Sequence, residues 1–206
     1  MNIDNWFSTP ILYHRITGEH LELVQREIAE SIPNVTEKGL TNPWDDNVQT
    51  SFKYGQNQNN YLTEYNCITL NDIVLNLSKQ FLKQYNAASV EKYKIISSWI
   101  NFSHKNEFQF DHSHTERIDY EPDDVILSGV YYFQTNGNDG DIMFSSPNIL
   151  QLSSLDIFSQ GYVNYTPEVG KLLLFPAWLQ HRVGLNKTDN VRVSITFNVG
   201  LQKKYI

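Results

Sequence analysis

Six histidines stand in the 206-residue sequence, at positions 14, 20, 104, 112, 114 and 181, and two of them are spaced for metal binding. In FDHSHTE, His112 and His114 lie two apart. On an extended strand that spacing puts both imidazoles on one face, within reach of a single ion, and turns Asp111 the other way. A third donor must come from elsewhere. His181, in FPAWLQHRVG, is the natural candidate, because it follows the strongly apolar LLLF and so sits on a rigid frame. Imidazole suits iron, zinc, copper or nickel, and three ligands on one side of an ion, with open positions opposite, is how oxygen-activating Fe(II) is held. Taken alone, a His-x-His pair on a half-exposed strand is more often a solvated face.

Arg192 follows His181 by eleven residues and opens the alternating run Arg192-Val193-Ser194-Ile195-Thr196-Phe197-Asn198. Its even positions carry every polar group and its odd positions are apolar. One face therefore presents a guanidinium, two hydroxyls and an amide together. Arginine keeps its charge and grips a carboxylate through two parallel hydrogen bonds, to which a serine can add a third. By itself Arg192 would be the polar edge of a barrel strand. Beside a candidate metal site it becomes an anchor for a small carboxylate ligand.

The elements that must position these groups fall into two parts. An apolar-aromatic run from Trp6 to Ile16, broken by Pro10, predicts an edge strand. Thr17 is placed to cap a helix from about Glu19 to Ser31, with Leu21, Val24, Ile28 and Ile32 on one face. Residues 33–66, rich in Asn, Gln, Pro and Gly, predict extended loop with short strands. Asn71 and Asp72 start a second helix whose stripe is Leu70, Val74, Leu77, Phe81 and Tyr85. Both helices read as packing elements. From Lys94 the pattern becomes short strands separated by turns: 94–102, 107–113, 126–134, 141–145, 161–165, 171–175, 181–185 and 191–199. TNGNDG, between 134 and 141, is composed for positive φ and predicts a hairpin. About eight strands without an intervening helix point to a jelly roll. The expected layout is one domain over 1–206, with a strand and two helices in 1–90 and the β core in 91–206.

Composition agrees with this reading. Aromatics make up 13% of the chain, including 12 Tyr and 11 Phe, an excess that favours sheet. A net charge of −7 argues against non-specific nucleic-acid binding. No apolar run approaches a membrane span, and the N-terminus carries no secretory pattern. Cys67 has no partner for a disulfide and suits a reducing, cytoplasmic setting. An exposed sheet edge would allow a homodimer.

The order His-x-His, SGVYYF, a Gly-led LLLFP, His, and Arg-x-Ser-x-x-Phe-Asn resembles a family of 2-oxoglutarate/Fe(II) oxygenases of bacteria and tailed phages. The match is densest from Trp99 to Asn198, and the opening NWFSTPILYH is similar too. The resemblance implies a double-stranded β-helix, mainly β, with two N-terminal packing helices. It implies Fe(II), 2-oxoglutarate and O2, with conversion of 2-oxoglutarate to succinate coupled to hydroxylation, demethylation or desaturation of a substrate. It makes His112 and His181 iron ligands, and places Arg192 and Ser194 on the far carboxylate of 2-oxoglutarate. Asn101, Tyr131 or Tyr132, and Asn198 become candidates to help hold that co-substrate. Adjacent tyrosines on one strand face opposite ways, so the sequence does not choose between them.

Two departures stand out. Most of the superfamily has His-x-Asp or His-x-Glu, where this chain has His114. A register of His114 and Glu116 would restore two histidines and a carboxylate; the family alignment favours His112 and His114. Residues 115–125, TERIDYEPDDV, form an acidic insertion that reads as a lid or as a solvated loop. Two other classes compete: a cupin-like jelly-roll metalloprotein, and a β-sandwich binding or structural protein using Trp44, Trp99, Trp178 and Tyr120. The substrate expected is a small molecule or a peptide side chain, in the cytoplasm (the host's, if a phage encodes the chain).

Overall fold

A computed structural model describes residues 8–44, 47–53, 60–84, 93–115, 125–148 and 161–201. Strand β1 (Leu12–Arg15) leads into helix α1 (Gly18–Glu37), then β2 (Gln49–Thr50), α2 (Tyr61–Glu64) and α3 (Ile68–Gln84). The β core follows: β3 (Tyr93–Ser103), β4 (Gln109–His112), β5 (Val125–Gln134), β6 (Ile142–Ser145), β7 (Tyr162–Tyr165), β8 (Lys171–Pro176), β9 (His181–Val183) and β10 (Arg192–Leu201). They form a six-stranded sheet in the order β1-β8-β5-β10-β3-β2 and a four-stranded sheet in the order β4-β9-β6-β7. Every pairing between these strands is antiparallel. This is the jelly-roll arrangement expected from the strand pattern. None of the described helices is long and apolar enough to cross a membrane.

Period-two alternation sorts the larger sheet into two faces. Val193, Ile195, Phe197 and Val199 of β10, with Leu172 and Leu174 of β8 and Tyr131 of β5, pack under Val24, Ile28 and Val35 of α1 and Leu70, Val74 and Phe81 of α3. The opposite face meets the smaller sheet through Val130, Tyr132, Leu173 and Phe175 against Ile142 and Phe144. The helices thus shield one side of the large sheet, and the other side is left to build a cavity.

Gly129 shows how tightly the helix side is filled. A methyl group there would overlap both the Phe197 ring and the Leu173 carbonyl. Neither the packed ring nor the backbone oxygen can yield cheaply. Gly129→Ala is expected to cost about 3 kcal/mol of stability, read as a lowered midpoint in chemical denaturation.

Several boundaries differ from the sequence reading. Helix α1 runs to Glu37 rather than Ser31, straight through Pro33, because Val35 extends the buried stripe by another turn. Thr17 occupies the cap position, but its side chain makes no cap hydrogen bond. Helix α3 starts at Ile68, before Asn71, because Glu27 of α1 accepts from the Thr69 backbone N–H (3.0 Å) and hydroxyl (2.6 Å). A cap supplied by another helix leaves no local signature. Tyr85 lies outside the described residues. The segment expected as loop over 33–66 contains the end of α1 and the short α2. TNGNDG does adopt positive φ at Gly137 and Gly140, yet it is not a hairpin turn. It carries the chain from β5 in one sheet to β6 in the other.

Candidate active site

The cavity lies between the two sheets and measures about 350 Å³, within the range of small-ligand sites. His112 and His181 face each other directly, as paired residues of β4 and β9 in the smaller sheet. His114 lies just past the end of β4, fixed by its backbone N–H donating to the Ala177 carbonyl at 2.9 Å. Candidate ligand atoms of the three histidines lie within 4.8 Å of one another. Asp111 points away to the surface, toward Ser145 and Arg182, as the alternation predicts. His14 and His20 are exposed and remote from the cluster, and His104 pairs with Glu107. Glu116, the alternative ligand, lies outside the described residues.

Each ring is oriented by its surroundings. His112 Nδ1 lies 2.7 Å from the Phe110 carbonyl, and His181 Nδ1 lies 2.9 Å from the Leu179 carbonyl. A carbonyl can only accept, so both Nδ1 atoms carry the proton and both Nε2 lone pairs are left free. Metal-binding histidines are held in this way. His114 Nε2 is buried with no hydrogen-bond partner. An orphaned buried nitrogen is costly unless something coordinates it. Burial, with His112 beside it, pushes the His114 pKa down to about 3. Burial, with both neighbouring rings, also holds His181 well below the ordinary value. Three neutral imidazoles converging on one point fit a divalent metal.

The same shifts make a pH prediction for the metal-free protein. Below about pH 6.5 the unfolded chain takes up protons that folded His114 and His181 refuse. Stability is therefore unaffected above that value and falls on acidification, by about 1.4 kcal/mol per pH unit for each histidine, until the folded pKa is reached. Urea melts in chelator between about pH 7 and pH 5.5 should show this slope, and His114→Gln should cut it to about half, leaving the share of His181.

Across the cavity, Arg192 opens β10 and is only 2% exposed. Its Nη1 donates to the carbonyls of Asp139 (2.6 Å) and Gly140 (2.9 Å), and Nη2 donates to Ser103 Oγ (2.9 Å). Those bonds use three of its five N–H groups. Among the described residues it has no carboxylate partner. A buried guanidinium without an acid is unfavourable unless a ligand supplies the negative charge. The hydroxyls of Ser194 and Tyr132 line the same cavity, and burial raises the Tyr132 pKa.

Of the other expected residues, Asn198 lines the cavity, its amide spanning Ser128 Oγ (2.7 Å) and Ser97 Oγ (3.1 Å). One expectation is corrected. Tyr131 faces the helices, where Gln25 donates to its hydroxyl at 3.2 Å, so Tyr132 is the tyrosine of the cavity. Asn101 shares the Arg192 face, directly opposite Ser194; its Nδ2 donates to Thr196 Oγ1 at 3.0 Å, and its Oδ1 is buried without a hydrogen-bond partner. The aromatic wall was not assigned to the site in advance. Trp44, Phe52 and Trp99 pack together with ring centroids 5.2–6.4 Å apart, and Trp99 stacks on His114 at 6.0 Å. Alternation could have found Ser97 and Trp99, which share a face of β3 with Asn101. Trp178 is exposed, and Tyr120 lies outside the described residues.

A family model described as "Putative 2OG-Fe(II) oxygenase" matches residues 97–198. No curated protein matches the chain. Among solved structures, a Pseudomonas putida prolyl-4-hydroxylase aligns with a TM-score of 0.61 at 14% identity, covering 95% of each chain. HygX from Streptomyces hygroscopicus, with nickel and 2-oxoglutarate bound, aligns with a TM-score of 0.58 at 13% identity over 94% of this chain and 84% of its own. A Trichoplax adhaerens prolyl hydroxylase, in complex with a hypoxia inducible factor peptide fragment, aligns with a TM-score of 0.59 at 14% identity over 92% and 83%.

Proposed function

Because the chain belongs to the 2-oxoglutarate/Fe(II) oxygenase family, we propose that His112, His114 and His181 hold its iron and that Arg192 and Ser194 hold the far carboxylate of 2-oxoglutarate. The observation that carries this assignment is the convergence of three imidazoles in the cavity that Arg192 enters with no acid partner among the described residues. When bound, iron and 2-oxoglutarate supply oxygen activation coupled to decarboxylation of the keto acid, leaving succinate and carbon dioxide.

The chain's own residues supply positioning. The Phe110 and Leu179 carbonyls lock two imidazoles with Nε2 toward the ligand point. Arg192 offers its remaining N–H groups to a carboxylate, and Ser194 and Tyr132 line the same cavity. Phe175, Val130 and Ile142 close the cavity with apolar surface, which keeps bulk water from the charged groups. Asn198 stands on the Arg192 face and reaches toward the histidine side, its amide ordered by two serines.

The substrate side is the wall of Trp44, Phe52 and Trp99, which borders His114. We read it as taking a small molecule or a peptide side chain, the latter in parallel with the peptide held by the Trichoplax enzyme. The net charge of −7 ranks nucleic acid below both. Cys67 is free and buried, which suits the reducing cytoplasm expected for the chain.

Succinate release from 2-oxoglutarate by the Fe(II)-loaded protein tests the reading, alongside calorimetric binding of 2-oxoglutarate to the Mn(II)-loaded form. Metal uptake with neither succinate nor binding would return the chain to the cupin-like class, which has no use for Arg192. Failure to retain any metal would favour the binding sandwich.

A further inference from the structure

Asp139 is wholly buried, yet among the described residues it makes no ion pair. It spends its carboxylate on a turn instead. Oδ1 accepts from the Thr135 hydroxyl at 2.6 Å. Oδ2 accepts from the Asn136 backbone N–H at 3.0 Å and from Asn190 Nδ2 at 3.3 Å. The first two bonds fold the loop between β5 and β6 on itself, and the third ties it to the loop between β9 and β10. Hydrogen bonds to an ionised acceptor are the strong kind.

What this clamp holds in place is backbone. The Asp139 and Gly140 carbonyls both accept from Arg192 Nη1, at 2.6 and 2.9 Å. Side-chain choice cannot aim a carbonyl; only the loop's conformation can. Gly140 fits that conformation because φ is +102° and because a Cβ would strike the Gly184 carbonyl of the neighbouring loop. The other support of the guanidinium is braced in the same way. Wholly buried Asn186 donates to the carbonyls of Ser103 (3.0 Å) and Asn190 (2.7 Å), steadying Ser103, whose hydroxyl accepts from Nη2. Both loops thus converge on one charged group.

We propose that Asp139 is a positioning residue for the co-substrate: by clamping the 135–140 turn it aims Arg192, and so sets the preference for a keto acid with a second carboxylate. This rests on the reading of Arg192 as the anchor of that carboxylate. The clamp needs an acceptor facing Asn136 and Asn190, whereas the Thr135 hydroxyl could accept from an amide in place of donating. Asp139→Ala removes both oxygens and with them all three bonds, so the turn loosens.

The test compares calorimetric affinities of the Mn(II)-loaded protein for 2-oxoglutarate and for 2-oxobutanoate, which chelates alike but lacks the far carboxylate. The wild-type protein should prefer 2-oxoglutarate by about 100-fold, and Asp139→Ala should shrink that ratio to about tenfold or less while Mn(II) affinity stays unchanged. General loosening of the fold would weaken both ligands together and leave the ratio intact. Should the 139 variant fail to fold, Thr135→Val removes one clamp bond and carries the same comparison. A ratio unchanged within about threefold in a folded variant overturns the proposal while Arg192 keeps its role. A wild-type protein that does not discriminate between the two acids overturns both.

Discussion

Arg192→Ala should bind 2-oxoglutarate some 100- to 1,000-fold more weakly than the wild-type protein, about 3–4 kcal/mol, while holding its metal unchanged. The size follows from the site. The guanidinium is buried, three of its N–H groups are fixed by protein acceptors, and no carboxylate side chain among the described residues neutralises it. A ligand carboxylate arriving there meets a charge already desolvated and oriented, so little of the attraction is lost to reorganisation. The metal is spared because the histidines stand on β4, β9 and the loop after β4, in and beside the other sheet. Arg192→Lys should recover only part of the loss, since an ammonium cannot reach two carbonyls, a hydroxyl and a carboxylate with the same fork. Calorimetry on the Mn(II)-loaded variants gives the comparison. Affinity within about threefold of wild type in the alanine variant would remove Arg192 from the co-substrate site.

The second large effect is on the metal itself. His181→Ala should lower metal affinity by more than about 100-fold, because loss of a ligand exceeds the 10- to 100-fold cost of losing a ligand's hydrogen-bond partner. His181 is 4% exposed and meets Phe144 and Phe175 at ring-centroid distances of 5.8 and 4.8 Å. His20→Ala, on the exposed part of α1, is the control and should bind metal as before. Equilibrium dialysis read by elemental analysis decides both. The same measurement chooses the register: His112→Ala should behave like His181→Ala, and Glu116→Ala like wild type. The reverse pattern would give the place of His112 to the carboxylate.

Much of this architecture was legible because strands advertise their faces. The run from Arg192 to Asn198 alternates without exception, and the fold uses that alternation as written, apolar residues under the helices and polar ones in the cavity. His112 and His114 needed only a spacing of two, and His181 only a rigid strand before it. Legibility failed where partners lie far away in sequence. Nothing local says that Tyr132, rather than Tyr131, faces the cavity. That choice is made by Tyr131 meeting Leu172 across the β5–β8 ladder and Gln25 on α1. Helix ends went astray for the same reason, since Glu27 caps α3 across 42 residues of chain. TNGNDG was recognised as a turn, but a turn's composition does not tell which sheet the next strand joins. Least visible were the groups that orient the site, the carbonyls of Phe110, Leu179, Asp139 and Gly140, because every residue type carries one.

In β10 the anchor for the ligand and the packing beneath the helices are dealt out to alternate residues of one uninterrupted run. Inserting or deleting a single amino acid there would exchange the two, sending the guanidinium into the oily layer and Val193 into the pocket. Descendants of this chain are therefore free to drift in residue type along that stretch far more readily than in its length. Changes in length must fall in the connecting loops, which can absorb them without inverting anything.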